Sequence, residues 1–309
     1  MIKMILPCIF KITKEMINQR IDNFLIKKFK NVPKSMIYRI IRVGKVQINK
    51  EKIKPSYKLK INDNIYLPYI KVQDKISIKK NIPVKIKNLL IKNILYEDKY
   101  LLVINKPSGI AVHGGSGLSF GIIEIFRQLI PSNNNLELVH RLDKDTSGIL
   151  ILSKKANILK SLHAQLRDKK IKKNYLALVH GKWPLEIKKV EFPLLKNNKR
   201  IVSINANGKP SKTCFKIQRV YSSSTLIAIQ PITGRTHQIR VHTLSTGHPI
   251  IFDNRYGNKL LDNKIKISTE KKLLLHANNI NFVHPHNQKK ICINAPLEKH
   301  FLRYINELK

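Results

Sequence analysis

The spacing of apolar residues changes several times along this chain, and each change predicts an element. In residues 20–30, RIDNFLIKKFK, Ile21, Phe24, Leu25 and Phe29 fall at helical spacing, with Lys27, Lys28 and Lys30 on the other side. Pro33-Lys34-Ser35 then leads into a second helix, MIYRIIRV. There Ser35 is the expected cap, Ile37, Ile40 and Ile41 face inward, and Gly44 ends the helix. Val46 and Ile48 next alternate as a strand does, and Asn62-Asp63 predicts a turn before a second alternating strand in NIYLP. Two short basic helices followed by small strands predict a compact module over residues 18–82, behind an N-terminal tail of residues 1–17. Residues 83–90 belong to a lysine-dense stretch without clear period and read as a linker.

From residue 91 to 309 the pattern is mixed. ILYED, YLLVINK, ILILS, NYLALVHG and TLIAIQP are strand candidates, whereas GIIEIFRQLI and ANILKSLHAQLRD are helical by spacing. Strict strand–helix alternation is missing, so an α+β domain with a largely antiparallel sheet is expected rather than a doubly wound one. No repeat period appears.

Composition narrows the class of partner. The chain has 309 residues, 59 Lys or Arg against 19 Asp or Glu, and a formal charge of +40. With 42% apolar residues it has material for a real core, which excludes a wholly disordered polybasic chain. Such an excess of cations points to a polyanion, and nucleic acid is the commonest. Cys8, Cys214 and Cys292 are isolated, with no CxxC pair, so neither a disulfide framework nor a zinc site is expected and a reducing cytoplasm fits. The opening MIKMILPCIF has no small-residue cleavage site, and no stretch nears the ~20 continuous apolar residues of a membrane span.

Carboxylates are scarce, which makes HRLDKDTSG at 140–148 pointed. Asp145 precedes Thr146-Ser147-Gly148, where a short carboxylate folds back on its own backbone as an Asx turn. Asp143 has no such local use. It sits between Arg141 and a strand, on a loop that a rigid sheet presents, and is a candidate either for chemistry or for an ion pair with Arg141. A second cluster is PITGRTHQIRVHTLSTGH at 231–248. Thr236 is the expected cap of a helix of about ten residues ending at Gly247. Arg235 and Arg240 fall at its start, where the helix dipole disfavours cations, so a nearby anion is expected: a catalytic carboxylate or an RNA phosphate. His237, His242, His248, His276, His284 and His286 crowd the last third, yet no HExxH or carboxylate cluster accompanies them and no metal site is predicted. GGSG at 114–117 reads as a turn.

RIDNFL, PKSMIYRIIRVGKVQIN and NDNIYLP together resemble the S4 RNA-binding domain. Farther on, NKPSGIAVHGGSG, HRLDKDTSG, KKNYLALVHG, GKPSKTCF, PITGRTHQIRVH and LLLHA occur in the order found in RNA pseudouridine synthases of the RluA/RluD type, and the chain resembles that family over nearly its whole length. Only the first ~14 residues and the Asn/Lys-rich 258–271 loop lie outside the shared motifs. The resemblance implies an α+β catalytic domain with a largely antiparallel mixed sheet at 91–309, preceded by a small S4 domain. It also implies isomerisation of uridine to pseudouridine in large-subunit ribosomal RNA, on a base turned out of its stack.

Residue by residue, the resemblance makes Asp143 the essential carboxylate, with Arg240 paired to it and keeping it ionised. Tyr175 would stack on the uracil and handle the C5 proton, Arg141 would hold the space vacated by the base, and Leu275 would form an apolar wall. Lys34, Tyr38, Arg39, Arg42 and Lys45 of the S4 module, with Arg235, would contact RNA. No cofactor is implied, since isomerisation needs no redox partner or phosphate donor. Nothing in the sequence calls for a membrane or an obligatory protein partner.

Overall fold

The computed structural model describes all residues except 1, 6, 14–15, 30–31, 74–81, 115–119, 131–135, 199–200, 266–269 and 309. The chain divides into two compact units, Met1–Asn81 and Ile82–Lys309. In the first unit the elements are β1 (Ile2–Ile5), β2 (Cys8–Lys11), α1 (Ile21–Lys28), α2 (Lys34–Arg42), β3 (Gln47–Ile48), β4 (Glu51–Lys52), β5 (Asn64–Leu67) and β6 (Ile70–Gln73). Four strands form a sheet in the order β2-β5-β3-β4, and β1 pairs with β6. Residues 1–17, expected as a tail, therefore supply two strands. Within β2, Cys8 and Phe10 pack on the core while Ile9 is exposed, an alternation too short to stand out in the apolar run around it.

Helices α1 and α2 bury Ile21, Phe24, Leu25, Ile37, Ile40 and Ile41 in one core. Their polar sides leave Lys34, Arg39 and Arg42 exposed, as is Lys45 beyond Gly44, whose φ of +77° suits a glycine past a helix end. Ser35 is not the cap. Helix α2 begins one residue earlier, at Lys34, with Pro33 at the N-cap and its carbonyl accepting from Met36 and Ile37 N–H.

The second unit continues with α3 (Val84–Lys92), β7 (Ile94–Glu97), β8 (Leu101–Lys106), α4 (Ile122–Leu129), β9 (Glu137–Leu138), β10 (Ser147–Ser153), α5 (Ala156–Arg167) and β11 (Lys172–His180). There follow β12 (Lys189–Val190), β13 (Leu194–Lys196), β14 (Val202–Ile204), β15 (Thr213–Val220), β16 (Ser224–Pro231), α6 (Gln238–Ser245), α7 (Lys259–Lys264), β17 (Leu275–Val283), β18 (Lys290–Asn294) and α8 (Lys299–Glu307). Residues 83–90, expected as a linker, lie largely in α3, where Leu90 is fully buried and Ile86, four residues before it, packs partly on the same core. That i, i+4 pair was obscured by the lysines around it. The 258–271 stretch, expected as a loop, carries α7, capped by Asn258.

A ten-stranded sheet organises this unit in the order β12-β15-β16-β11-β17-β10-β8-β7, with β18 on β17 and β9 on β10. It is antiparallel except where β10 meets β17, as expected for the α+β class. Alternate residues of its central strands enter two different cores. Leu102, Ile104, Leu150 and Leu152 join one, and Leu101, Val103, Ile149 and Ile151 the other. Burial on both faces explains why ILILS and YLLVINK are apolar without a break. At the parallel junction Gly148 has φ +106°, and a Cβ there would lie 2.3 Å from the Ala277 carbonyl oxygen, so only glycine fits.

Candidate active site

Asp143 lies on the loop between β9 and β10, and that loop is tied down from below. Lys106, at the end of β8, is completely buried, and its ammonium donates to the carbonyls of Pro107 (2.8 Å), Ile110 (3.0 Å) and Lys144 (2.9 Å). Ser108 Oγ donates to the Asp145 carbonyl at 2.7 Å, and Gly109 N–H to that of Lys144 at 2.9 Å. Burial pulls Lys106 down to about 7, opposed by the charges of Glu298, Asp145 and Asp143. Three carbonyl acceptors match the three donors of the charged form. Asp145 thus joins this loop through its backbone, instead of through the Asx turn expected of its side chain.

Asp143 keeps its carboxylate 27% exposed at the mouth of a cavity of about 760 Å³. Its Oδ2 lies 3.4 Å from Arg240 Nη1 and 3.8 Å from His237 Nε2. Among the described residues it makes no ion pair with Arg141, which removes the alternative left open by the sequence. Arg240 is buried, and its strongest partner is Asp253: Nε donates to Oδ2 at 2.7 Å and Nη2 to Oδ1 at 2.6 Å. The Arg255 and Tyr256 N–H groups also donate to Asp253, at 2.9 Å each. Burial works against the charge of Arg240, but the bonds and charge of Asp253, followed by Asp143, outweigh it and hold its pKa above the ordinary value. Burial likewise opposes ionisation of Asp253, yet Arg240 and the two amides keep its carboxyl below the usual range. The anion required at the start of α6 is therefore Asp253 first and Asp143 second.

Thr236 does not cap α6. The N-cap is His237, in the left-handed region at φ 52° and ψ 18°. The preceding turn is instead folded around Gln238, whose Oε1 accepts from Thr233 Oγ1 (2.7 Å) and Arg235 N–H (3.0 Å). That conformation brings His237 Nδ1 to 2.7 Å from the Tyr256 hydroxyl, which also accepts from Val202 N–H at 3.0 Å. An ionised Asp143 can only accept, so the tautomer that suits this geometry carries the ring proton on Nε2, facing Asp143, with the Tyr256 hydroxyl donating to Nδ1.

Tyr175, on β11, and Leu275, at the start of β17, line the same cavity, as do Arg141 and Arg235. Tyr175 is buried. Burial, with the Asp143 charge second, pushes its hydroxyl well above the ordinary range, so it is neutral at physiological pH. Arg235 keeps an exposed head, and its Nε donates to the Pro210 carbonyl at 3.2 Å. The cavity wall is strongly cationic, with Arg167, Lys169, Lys172 and Lys173 beside these arginines and Asp143 as its one carboxylate among the described residues. The GGSG turn expected at 114–117 lies mostly outside the described residues.

In the first unit the expected RNA contacts divide. Lys34, Arg39, Arg42 and Lys45 are exposed, but the Tyr38 hydroxyl donates to the buried Asp22 at 3.1 Å, and Arg20 grips the same carboxylate at 2.7 Å. Tyr38 thus contributes first to the fold. The late histidines disperse: His242 bonds Ser211 and Thr213, His276 bonds Ser147, and His284 bonds Asp98. Among the described residues no group of three His, Cys, Asp or Glu could hold a metal, and no helix is long and apolar enough to cross a membrane.

Sequence reasoning missed Asp253, His237 and Lys106. His237 was inside a quoted motif, and only its backbone conformation turns it toward Asp143. Asp253 follows α6 in an unremarkable turn, and its one signal was the unmatched Arg240.

Comparison with known proteins agrees with this geometry. Residues 100–245 match the family described as RNA pseudouridylate synthase, and residues 19–65 match the S4 domain. The chain is 58% identical over 307 residues to ribosomal large subunit pseudouridine synthase C of Buchnera aphidicola subsp. Schizaphis graminum, covering 97% of each chain. To the Escherichia coli (strain K12) protein of the same name it is 48% identical over 307 residues, 97% of this chain and 96% of that one. The solved structure of human RNA pseudouridylate synthase domain containing 4 is similar with a TM-score of 0.61 and 25% identity, over 72% of this chain and 95% of that one. Full-length similarity at this level, together with a lone carboxylate in a cationic cavity, establishes that the chain belongs to the RNA pseudouridylate synthase family and carries an S4 domain ahead of its catalytic one.

Proposed function

We propose that this enzyme isomerises specific uridines of large-subunit (23S) ribosomal RNA, with Asp143 as the catalytic carboxylate. The N1–C1′ bond breaks, the uracil turns within the cavity, a C5–C1′ bond forms, the C5 proton is lost and N1 takes up a proton, so atoms and charge balance without a cofactor. The observation that carries this reading is Asp143 itself, among the described residues the only carboxylate on a cavity wall whose other charged side chains are Lys and Arg. An RNA-binding factor has no use for a buried Arg240–Asp253 pair presenting a guanidinium to a half-buried carboxylate.

The other roles follow from the same wall. Arg240 fixes Asp143 and favours its ionised form. Tyr175 offers its ring to the uracil; a base role would need the phenolate that burial disfavours, so stacking is its better-supported role. Leu275 packs against the base, and Arg141 occupies the stack it leaves. Extrusion costs a few kcal/mol, least at unpaired sites, and loop-rich ribosomal RNA provides them. Lys34, Arg39, Arg42, Lys45 and Arg235 neutralise phosphates, giving affinity with little sequence discrimination. The cytoplasm is the place of work, in keeping with three free cysteines.

The test is carbodiimide tagging of large-subunit RNA treated with the full-length protein. Discrete tags with intact RNA are expected, and Asp143→Asn should abolish them while RNA binding stays within a few-fold. Shortened RNA would indicate a hydrolase, untagged RNA a binding factor, and a turning-over Asp143→Asn another catalytic group.

A further inference from the structure

We infer that Lys173 forms a subsite for one backbone phosphate of the RNA beside the extruded uridine, an inference that rests on the function proposed above. Lys173 lies on β11 two residues before Tyr175, and its side chain lines the same cavity as Asp143. Its ammonium sits over the turn leading into α6, 3.6 Å from the point a Cβ on Gly234 would occupy.

What sets Lys173 apart is the lack of a partner. Other shielded lysines are matched: Lys106 by three carbonyls, and Lys154 by Glu97 and the Asp98 carbonyl. Among the described residues, the Lys173 ammonium makes neither a hydrogen bond nor an ion pair, although the side chain is partly buried. Burial is the sole influence on its pKa, which it lowers; no anion acts in the other direction. Asp143 cannot serve, being beyond ion-pair distance and already facing Arg240 and His237. A partly shielded ammonium without a counter-charge is disfavoured relative to one beside an anion, and a bound ligand can supply that anion.

The ligand's chemistry follows from the cavity. Uracil and ribose are uncharged, so the only anion a uridine brings with it is a phosphodiester. Arg167, Lys169 and Lys172 line the same cavity as Lys173 and add positive charge for the backbone on either side of the base.

The experiment compares full-length wild type, Lys173→Gln and Lys173→Arg binding to large-subunit RNA transcript across a salt series. Lys173→Gln should reduce the slope of log affinity against log salt by roughly 0.7–0.9, the value of one neutralised phosphate, and Lys173→Arg should restore it. A synthetic RNA containing a converted uridine, made neutral at one flanking phosphate at a time by methylphosphonate, gives the second measurement. One such substitution should weaken wild type and leave Lys173→Gln unaffected. An unchanged slope in Lys173→Gln, or equal sensitivity of both proteins at every phosphate, overturns the inference, as does a loss of turnover at saturating RNA without a slope change. Conversion of the same RNA by wild type is the control: its absence defeats the proposed function, whereas conversion with an unchanged slope defeats only the subsite.

Discussion

Arg240 commits two of its nitrogens to Asp253, at 2.7 and 2.6 Å, and reaches Asp143 with the third at 3.4 Å. The pair with Asp253 is the fixed one, and Asp143 is held from it at a looser distance that a substrate can tighten. Because Lys offers a point charge instead of a planar fork, Arg240→Lys cannot keep both relationships. Single-turnover conversion should fall at least tenfold, about 1.4 kcal/mol of transition-state stabilisation, with RNA affinity much less changed. Asp253→Asn, at a residue that does not line the cavity, should lower the same rate by a similar factor and destabilise the fold by about 3–5 kcal/mol in urea titration, since it removes the close counter-charge of the buried Arg240 and leaves only Asp143 at 3.4 Å. Wild-type turnover in Asp253→Asn would mean that Arg240 needs no anchor.

A buried histidine makes stability depend on pH. His276 is completely buried, its Nδ1 at 2.8 Å from Ser147 Oγ and its Nε2 facing the Ala295 carbonyl at 3.3 Å. Burial, chiefly, lowers its pKa from 6.5 to about 4. The folded state therefore binds fewer protons than the unfolded state between those two values. Stability from this group is complete above pH 6.5 and is lost as pH falls toward 4, by up to about 1.4 kcal/mol per pH unit. Urea midpoints measured from pH 7 to 5 should decline, and His276→Gln should decline less steeply despite starting lower. Equal slopes would show that other groups set the acid sensitivity.

The first unit's contribution is a matter of charge. Lys34, Arg39 and Arg42 are exposed on α2, opposite the buried Ile37, Ile40 and Ile41. Replacing all three with Gln should leave the fold intact and reduce the salt slope of RNA binding by roughly 0.7–0.9 for each phosphate that α2 no longer neutralises. Tyr38→Phe should instead cost stability, because it removes a donor from the buried Asp22.

How far the sequence was legible depended on the range of each signal. α1, α2, α4, α5 and the central strands were visible because apolar period is local, and the unbroken runs of β8 and β10 reflected burial on two faces. β2 and α3 were hidden where apolar or lysine-rich composition blurred the period. Asp143 stood out as a scarce carboxylate in a basic chain, but its surroundings did not. The link from Arg240 to Asp253 spans a turn, the tie from Lys106 to Lys144 joins β8 to a distant loop, and the direction of His237 depends on a left-handed backbone. Each is a tertiary consequence with no periodic trace.

That left-handed residue carries the last prediction. His237 Nε2 faces the acceptor-only Asp143 carboxylate at 3.8 Å, which favours the proton on Nε2 and lets the Tyr256 hydroxyl, held by Val202 N–H at 3.0 Å, donate to Nδ1 at 2.7 Å. Burial lowers the His237 pKa first, and Arg240 and Arg255 add to the effect against the opposing charges of Asp143 and Asp253. The ring is accordingly neutral at and above its ordinary value, and it faces Asp143 as a donor without a full charge. A glutamine amide can donate in the same direction, whereas leucine cannot. At pH 7–8, single-turnover conversion by His237→Leu should fall at least tenfold, and His237→Gln should stay within a few-fold of wild type. Tyr256→Phe should fall between them, because the ring loses the bond that selects its tautomer, and the stranded Val202 N–H should cost roughly 1–3 kcal/mol of stability. RNA affinity should change little in any of them. If His237→Leu converted RNA at the wild-type rate, the left-handed turn would serve only to start α6, and Asp143 would depend on Arg240 alone.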